Sequence, residues 1–209
     1  MDEYIINNEA DVAEGAAWLA RAEPRFEGAL GQIGPLPLRL RNDGFEALLS
    51  AIVSQQISVA AARGVWAKLE AAGATEANAI LGLSVEELRN IGLSRQKAGY
   101  AKALAEHGID FAALRREPSE RVVQVLTEVK GIGVWTAEIY CMFSLGRADI
   151  LAAGDLALQE SARVLFDLPA RPTDKELRLM AEAWSPWRAV AARLLFTYYH
   201  LIKDREGMT

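Results

Sequence analysis

Residues 126–155 read LTEVKGIGVWTAEIYCMFSLGRADILAAGD, and the rest of the chain is organised around them. A helical pattern ends at Leu126. The chain then turns through Val129-Lys130-Gly131-Ile132-Gly133 into a second apolar helix, Trp135 to Leu145. Two glycines spaced G-x-G allow positive φ and leave backbone N–H groups bare. The helix that follows points its unbonded amides and positive dipole end the same way. Such a corner suits one oxygen of a phosphate. Taken alone, G-x-G is better read as a tight helix–helix connection.

Further along, A-A-G-D ends in Asp155, ahead of a helical pattern from Leu156 to Phe166. Aspartate is among the best N-cap residues, and capping by itself accounts for it. Upstream, Ser54-Gln55-Gln56 interrupts an apolar helix with two consecutive glutamines. A buried amide needs partners to offset its desolvation, so bonding to neighbouring backbone is the plain account of the pair.

The remaining pattern is helix after helix. Asp11–Ala22 and Pro24–Ile33 read as short amphipathic helices starting near Asn8 and at Pro24. Gly34-Pro35-Leu36-Pro37-Leu38 breaks the pattern as an extended linker. Asp43 can cap a helix whose apolar positions Phe45, Leu48, Leu49, Ile52 and Val53 follow the helical period. Helices are then expected at Val59–Ala71, near Glu76 and Val85, at Arg95–Glu106, Phe111–Arg115 and Ser119–Thr127. Thr173–Ala183 and Trp187–Ile202 close the chain. No period-2 alternation appears, so the fold class is all-α.

With 209 residues and 51% apolar content, the chain can bury a substantial core without disulfides. The one cysteine, Cys141, lies in an apolar run and reads as a small core residue. The opening MDEYIINNEA is acidic and is not a secretion signal, and no apolar run approaches the ~20 residues a membrane span needs. Two histidines and a single cysteine offer no Cys/His zinc site. The net charge of −5 counts against nucleic-acid binding by composition alone. Arg89, Arg95, Lys97, Lys102 and Lys130 nevertheless gather in the central third.

The string V-K-G-I-G-V-W-T-A, followed by a Gly-containing loop and Asp155, resembles the helix-hairpin-helix DNA glycosylase superfamily. The twenty-residue separation of Trp135 and Asp155 (155 − 135) is similar to that of its compact AlkA-type branch, the DNA-3-methyladenine glycosylase II proteins. The likeness extends over about residues 42–204 and includes a G-L-S-x-x-K-A string from Gly92 to Ala98, a degenerate second hairpin. There Lys97 and Lys102 read equally as solvated charges and as contacts to the DNA backbone.

That resemblance implies roles. Asp155 takes the place of the catalytic carboxylate. Trp135 stands where bifunctional relatives keep a Schiff-base lysine, so no lyase activity is expected. Trp135 and Trp187, the latter in Ser185-Pro186-Trp187-Arg188, would wall the base pocket. Ile139 replaces a further pocket aromatic one turn after Trp135, with Tyr140 beside it. Trp18, Trp66 and Trp184 are assigned to the core. Gln56 falls at the wedge that fills the gap left by an extruded nucleotide, where AlkA-type proteins carry leucine. Gly131, Gly133, Thr136 and Lys130 would bind a phosphate. Backbone carbonyls of Thr127, Val129 and Gly131 would hold a monovalent cation only when DNA is present; no other cofactor and no iron–sulfur cluster are implied.

Two helical subdomains with a cleft between them are expected. Residues 43–149 would form the bundle with the hairpin, and 1–42 plus 150–209 the subdomain carrying Asp155. The expected partner is double-stranded DNA with alkylated bases, acted on by a monomeric intracellular enzyme, cytoplasmic or in the nucleoid if bacterial. Two alternatives stand beside it: a non-catalytic DNA-binding module in which Asp155 is only a cap, and a glycosylase for other damaged or mismatched bases.

Overall fold

The computed structural model describes residues 3–206. Among them the secondary structure is helical, apart from an isolated antiparallel bridge between Ile5 and Arg147. The chain divides into two compact units. One is discontinuous and holds the chain up to Leu40 and again from Cys141; the other is the inserted stretch Arg41–Tyr140.

The inserted unit contains α3 (Phe45–Ser54), α4 (Val59–Ala71), α5 (Ala77–Gly82), α6 (Val85–Ile91), α7 (Arg95–His107), α8 (Phe111–Leu114), α9 (Ser119–Thr127) and the start of α10 (Val134–Phe143). Leu48, Leu49, Ile52 and Val53 of α3 recur at helical spacing and are buried, as are Ala98, Ala101 and Leu104 of α7. Small residues on α7 let α3, α5 and α6 all pack against it. Asp43 does not cap α3. Gly44 is the N-cap and makes no side-chain capping bond, while Asp43 pairs with Arg115.

The discontinuous unit contains α1 (Glu9–Ala22), α2 (Pro24–Ile33), α11 (Leu156–Leu165), α12 (Asp174–Met180), a 3₁₀ turn (Ala181–Trp184) and α13 (Arg188–Glu206). Asn8 caps α1 in a reciprocal capping box with Asp11, and Pro24 opens α2 at its first turn. The expected helix over 173–183 is split, because the chain tightens into the 3₁₀ turn after Met180.

Residues 141–149, which the sequence reading gives to the hairpin bundle, group instead with the discontinuous unit. Backbone bonds hold them there: Ile6 N–H to the Gly146 carbonyl at 2.7 Å, Ala148 N–H to Tyr4 at 3.0 Å and Ala189 N–H to Ala148 at 2.8 Å. Arg147 adds an ion pair with Glu3 at 3.0 Å. These pairings are long-range and leave no periodic trace. Of the three tryptophans assigned to the core, Trp184 is buried; Trp18 and Trp66 are half-buried, and the Trp66 indole N–H donates to Glu70 at 2.9 Å.

Candidate functional site

In the inserted unit, the turn between α9 and α10 has one glycine that the fold requires and one that it does not. Gly131 sits at φ +100°, and a Cβ there would lie 2.3 Å from Cγ of Tyr100. Gly133 has no positive φ and nothing within 4 Å of where its Cβ would stand. The expectation of positive φ therefore holds for Gly131 alone. Gly133 leaves open space in front of α10, whose first intrahelical donor is Ala137 N–H, bonded to the Gly133 carbonyl at 3.1 Å. That end of α10 carries the positive pole of the helix dipole, which suits an anion. Lys130 is exposed beside the turn, whereas Thr136 is buried at 6% exposure and sits on the inner side of α10.

The loop after α3 carries Gln55 and Gln56. Gln56 is exposed and held at φ +56°, a left-handed conformation uncommon for a residue with a side chain. Gln55 turns inward instead, and its Nε2 donates to the Gly131 carbonyl at 2.9 Å. Loop and turn thus share a concavity of about 370 Å³, lined by Gln55, Gln56, Gln96, Lys97, Tyr100 and the Gly131–Gly133 turn. Ile57 and Val59, at 40% and 69% exposure, add an apolar shoulder to the loop.

Lys97 and Lys102 are half-buried, and each places its amine on backbone carbonyls. Lys97 Nζ donates to the Val53 carbonyl at 2.6 Å, near the end of α3, and burial lowers its pKa. Lys102 Nζ reaches the carbonyls of Ile80, Leu81 and Leu83 at 3.3, 3.0 and 3.0 Å, around the end of α5. Each amine satisfies terminal carbonyls and the negative end of a helix.

Three of the expected pocket residues lie on α10. Trp135 is 45% exposed, Ile139 is half-buried and Tyr140 is buried at 4%. The Tyr140 hydroxyl accepts the Gly44 N–H at 2.9 Å, which fixes the start of α3. For a cation, the Gly131 carbonyl already accepts from Gln55, and that of Val129 accepts the Ile132 N–H at 3.0 Å. Each carbonyl keeps a second lone pair, so these bonds do not by themselves bar a further contact to a cation. The Thr127 hydroxyl is turned back onto Val123 and Gln124 at 2.8 and 2.9 Å.

Asp155 belongs to the discontinuous unit. It is half-buried and caps α11, with Oδ1 accepting Ala157 N–H at 2.8 Å and Leu158 N–H at 3.4 Å. Its own N–H donates to the Ala152 carbonyl at 2.9 Å. The buried Gln159 supports the preceding loop, donating to the Ala153 carbonyl at 2.8 Å. The carboxylate is therefore oriented through Oδ1 by the first amides of α11, on a loop that is itself held by backbone and Gln159 bonds.

Asp149 is a residue the sequence reading missed. It accepts from the Ser185 hydroxyl at 2.7 Å and pairs with Arg188 at 3.5 Å, tying the loop before Asp155 to Ser185-Pro186-Trp187-Arg188. The S-P-W-R string was visible, but its partner 36 residues earlier had no local signal. Trp187 is 5% exposed, edge-on to Tyr4 with centroids 4.7 Å apart, and its ring fills the space beside Gly15.

Residues 49–188 match the family model described as HhH-GPD superfamily base excision DNA repair protein. DNA-3-methyladenine glycosylase 1 of Schizosaccharomyces pombe is 30% identical over 181 residues, 82% of this chain and 79% of that protein. The crystal structure of a DNA-3-methyladenine glycosidase from Bacillus halodurans aligns over 98% of this chain and 95% of its own, with a TM-score of 0.82 and 29% identity. A 3-methyladenine DNA glycosylase of S. pombe, in complex with abasic DNA, aligns over 87% and 95% with a TM-score of 0.73 and 27% identity.

Proposed function

The chain belongs to the HhH-GPD superfamily of base excision DNA repair proteins, and on that footing we propose that it is a monofunctional DNA glycosylase releasing alkylated bases from duplex DNA. The observation that carries the reading is Asp155, a half-buried carboxylate held by backbone amides at the start of α11. Relatives named for 3-methyladenine support that base as a substrate, and 7-methylguanine, likewise cationic through ring alkylation, is proposed beside it.

Enzymes that act on a base inside a duplex must extrude it first. The exposed Gln56 would fill the gap, and the Gly131–Gly133 turn would hold a backbone phosphate. The same turn's carbonyls would carry a monovalent cation beside that phosphate. Loss of the base builds positive charge on the sugar, as in other glycosyl transfers. An ionised Asp155 stabilises that charge and orients or deprotonates the attacking water. Ring alkylation makes the base cationic and a good leaving group, so one carboxylate suffices. The exposed face of Trp135 suits such a cation, a contact worth about 0.5–2 kcal/mol. With tryptophan where lyase-competent relatives carry lysine, no imine to the sugar forms.

The test is methylated duplex DNA, with released bases followed by chromatography and strand breaks scored before and after alkali. Released 3-methyladenine with breaks only after alkali supports the proposal. Asp155→Asn keeps a capping side chain and should slow release by at least about 100-fold while binding persists. Breaks without alkali refute the monofunctional reading. DNA binding without release of any base by the unaltered protein favours a binding module in which Asp155 is only a cap.

A further inference from the structure

The loop that carries Gln56 is tied down at both ends. Downstream, the Ser58 hydroxyl caps α4, accepting from Ala61 N–H at 3.2 Å. Upstream, Lys97 holds the Val53 carbonyl at 2.6 Å. Neither tie reaches the glycine turn. The bond from Gln55 Nε2 to the Gly131 carbonyl does, joining residues 76 positions apart at 2.9 Å in a partly buried setting.

Its acceptor has little freedom, because Gly131 at φ +100° packs so closely on the Tyr100 ring that a Cβ would lie 2.3 Å from it. The donor side stores strain: Gln56, the next residue, is held at φ +56°. A non-glycine residue persists there only when its surroundings over-determine it. Within the stretch Gln55–Ile57, the Gln55 amide is the contact that ties this strained tip to the turn.

We infer that Gln55 is a positioning residue that couples phosphate capture by the Gly131–Gly133 turn to insertion of Gln56 into the duplex. This rests on the reading of the protein as a DNA glycosylase. Both groups in the bond are neutral, so the coupling is insensitive to salt and to pH near neutrality. Gln55 itself touches no reacting atom.

Gln55→Met keeps the side-chain length and removes the donor; Gln55→Asn keeps the amide but shortens its reach by one methylene. Three readouts on one duplex separate the roles: affinity by fluorescence anisotropy, base extrusion by 2-aminopurine fluorescence at saturation, and single-turnover release of 3-methyladenine. Both variants should fold, with melting temperatures lowered by no more than about 2–4 °C, and bind within about threefold of the unaltered protein. Both should lose the 2-aminopurine signal and release base about 10- to 100-fold more slowly, the scale of a small misplacement near a reacting centre. Normal extrusion and release in both variants overturn the inference. So does a loss of affinity with full extrusion at saturation, which makes Gln55 part of the phosphate grip. Should Gln55→Met fail to fold, Gln55→Asn carries the same readouts. If the unaltered protein releases no base, the function reading falls and this one falls with it. That control is separate from every variant.

Discussion

At Gly131 a methyl group would meet the Tyr100 ring at 2.3 Å on a backbone at φ +100°, whereas at Gly133 it would meet nothing within 4 Å. The two glycines of one motif therefore answer to different demands. Gly131→Ala combines left-handed strain with overpacking and should cost at least about 2 kcal/mol in urea unfolding. Gly133→Ala should leave stability within about 0.5 kcal/mol. Its methyl would occupy the space an approaching phosphate needs, so affinity for duplex DNA by anisotropy should fall about tenfold. Equal loss of stability in the two variants would contradict the assignment of Gly133 to a ligand.

Helix ends show where a charged side chain can be misread from sequence. Lys97 and Lys102 lie on one turn-and-a-half of α7, and both run to the carbonyl end of another helix. By sequence they read equally as solvated charges and as contacts to the DNA backbone; only the packing of α3 and α5 against α7 brought carbonyl acceptors within reach. Lys102→Met removes three charge-assisted bonds around the six-residue α5 and should destabilise by about 1–3 kcal/mol. Its DNA affinity should keep the salt dependence of the unaltered protein. A lysine on a phosphate would instead reduce the slope of log K against log salt by about 1.

Each unit of the molecule encloses its own core, and the discontinuous one is closed around a fully buried arginine. Arg193 donates to the carbonyls of Leu38, Ala189 and Met142 at 3.1, 2.9 and 3.4 Å, with its guanidinium over Phe143 at 5.0 Å. It thereby pins the linker before the inserted unit to the helix segments that follow that unit. Burial, aided by the nearby Arg39, lowers its pKa from the usual guanidinium value to about 10. Charge burial of this size opposes folding by roughly 3 kcal/mol at neutral pH. Above about pH 10 the folded chain releases a proton that the unfolded chain still keeps, so stability from this group rises with pH there. Arg193→Met lacks the group, and subtracting its urea-unfolding free energy cancels the other titrations. The difference should shift in favour of the unaltered protein from about pH 9 to pH 11; a flat difference would show that burial leaves Arg193 unperturbed.

The sequence by itself determined what is local. Helical period located most elements, with Val59–Ala71 and Ser119–Thr127 reproduced residue for residue. Cap chemistry placed Asp155 at the head of α11, and V-K-G-I-G-V-W-T-A led to the family. Such signals lie within a few residues of one another, because helix bonds and caps join near neighbours. Tertiary structure decided which side chains face one another over long separations. It gave Gln55 to Gly131, Asp149 to Ser185, Lys102 to α5 and residues 141–149 to the discontinuous unit. It buried Trp187 and Tyr140, which sequence had placed in a base pocket, and left Trp135 exposed on the same helix as Tyr140. An aromatic residue at a helix start carries one chemistry in the sequence; whether its face meets a core or a ligand is set by elements that arrive from elsewhere in the chain.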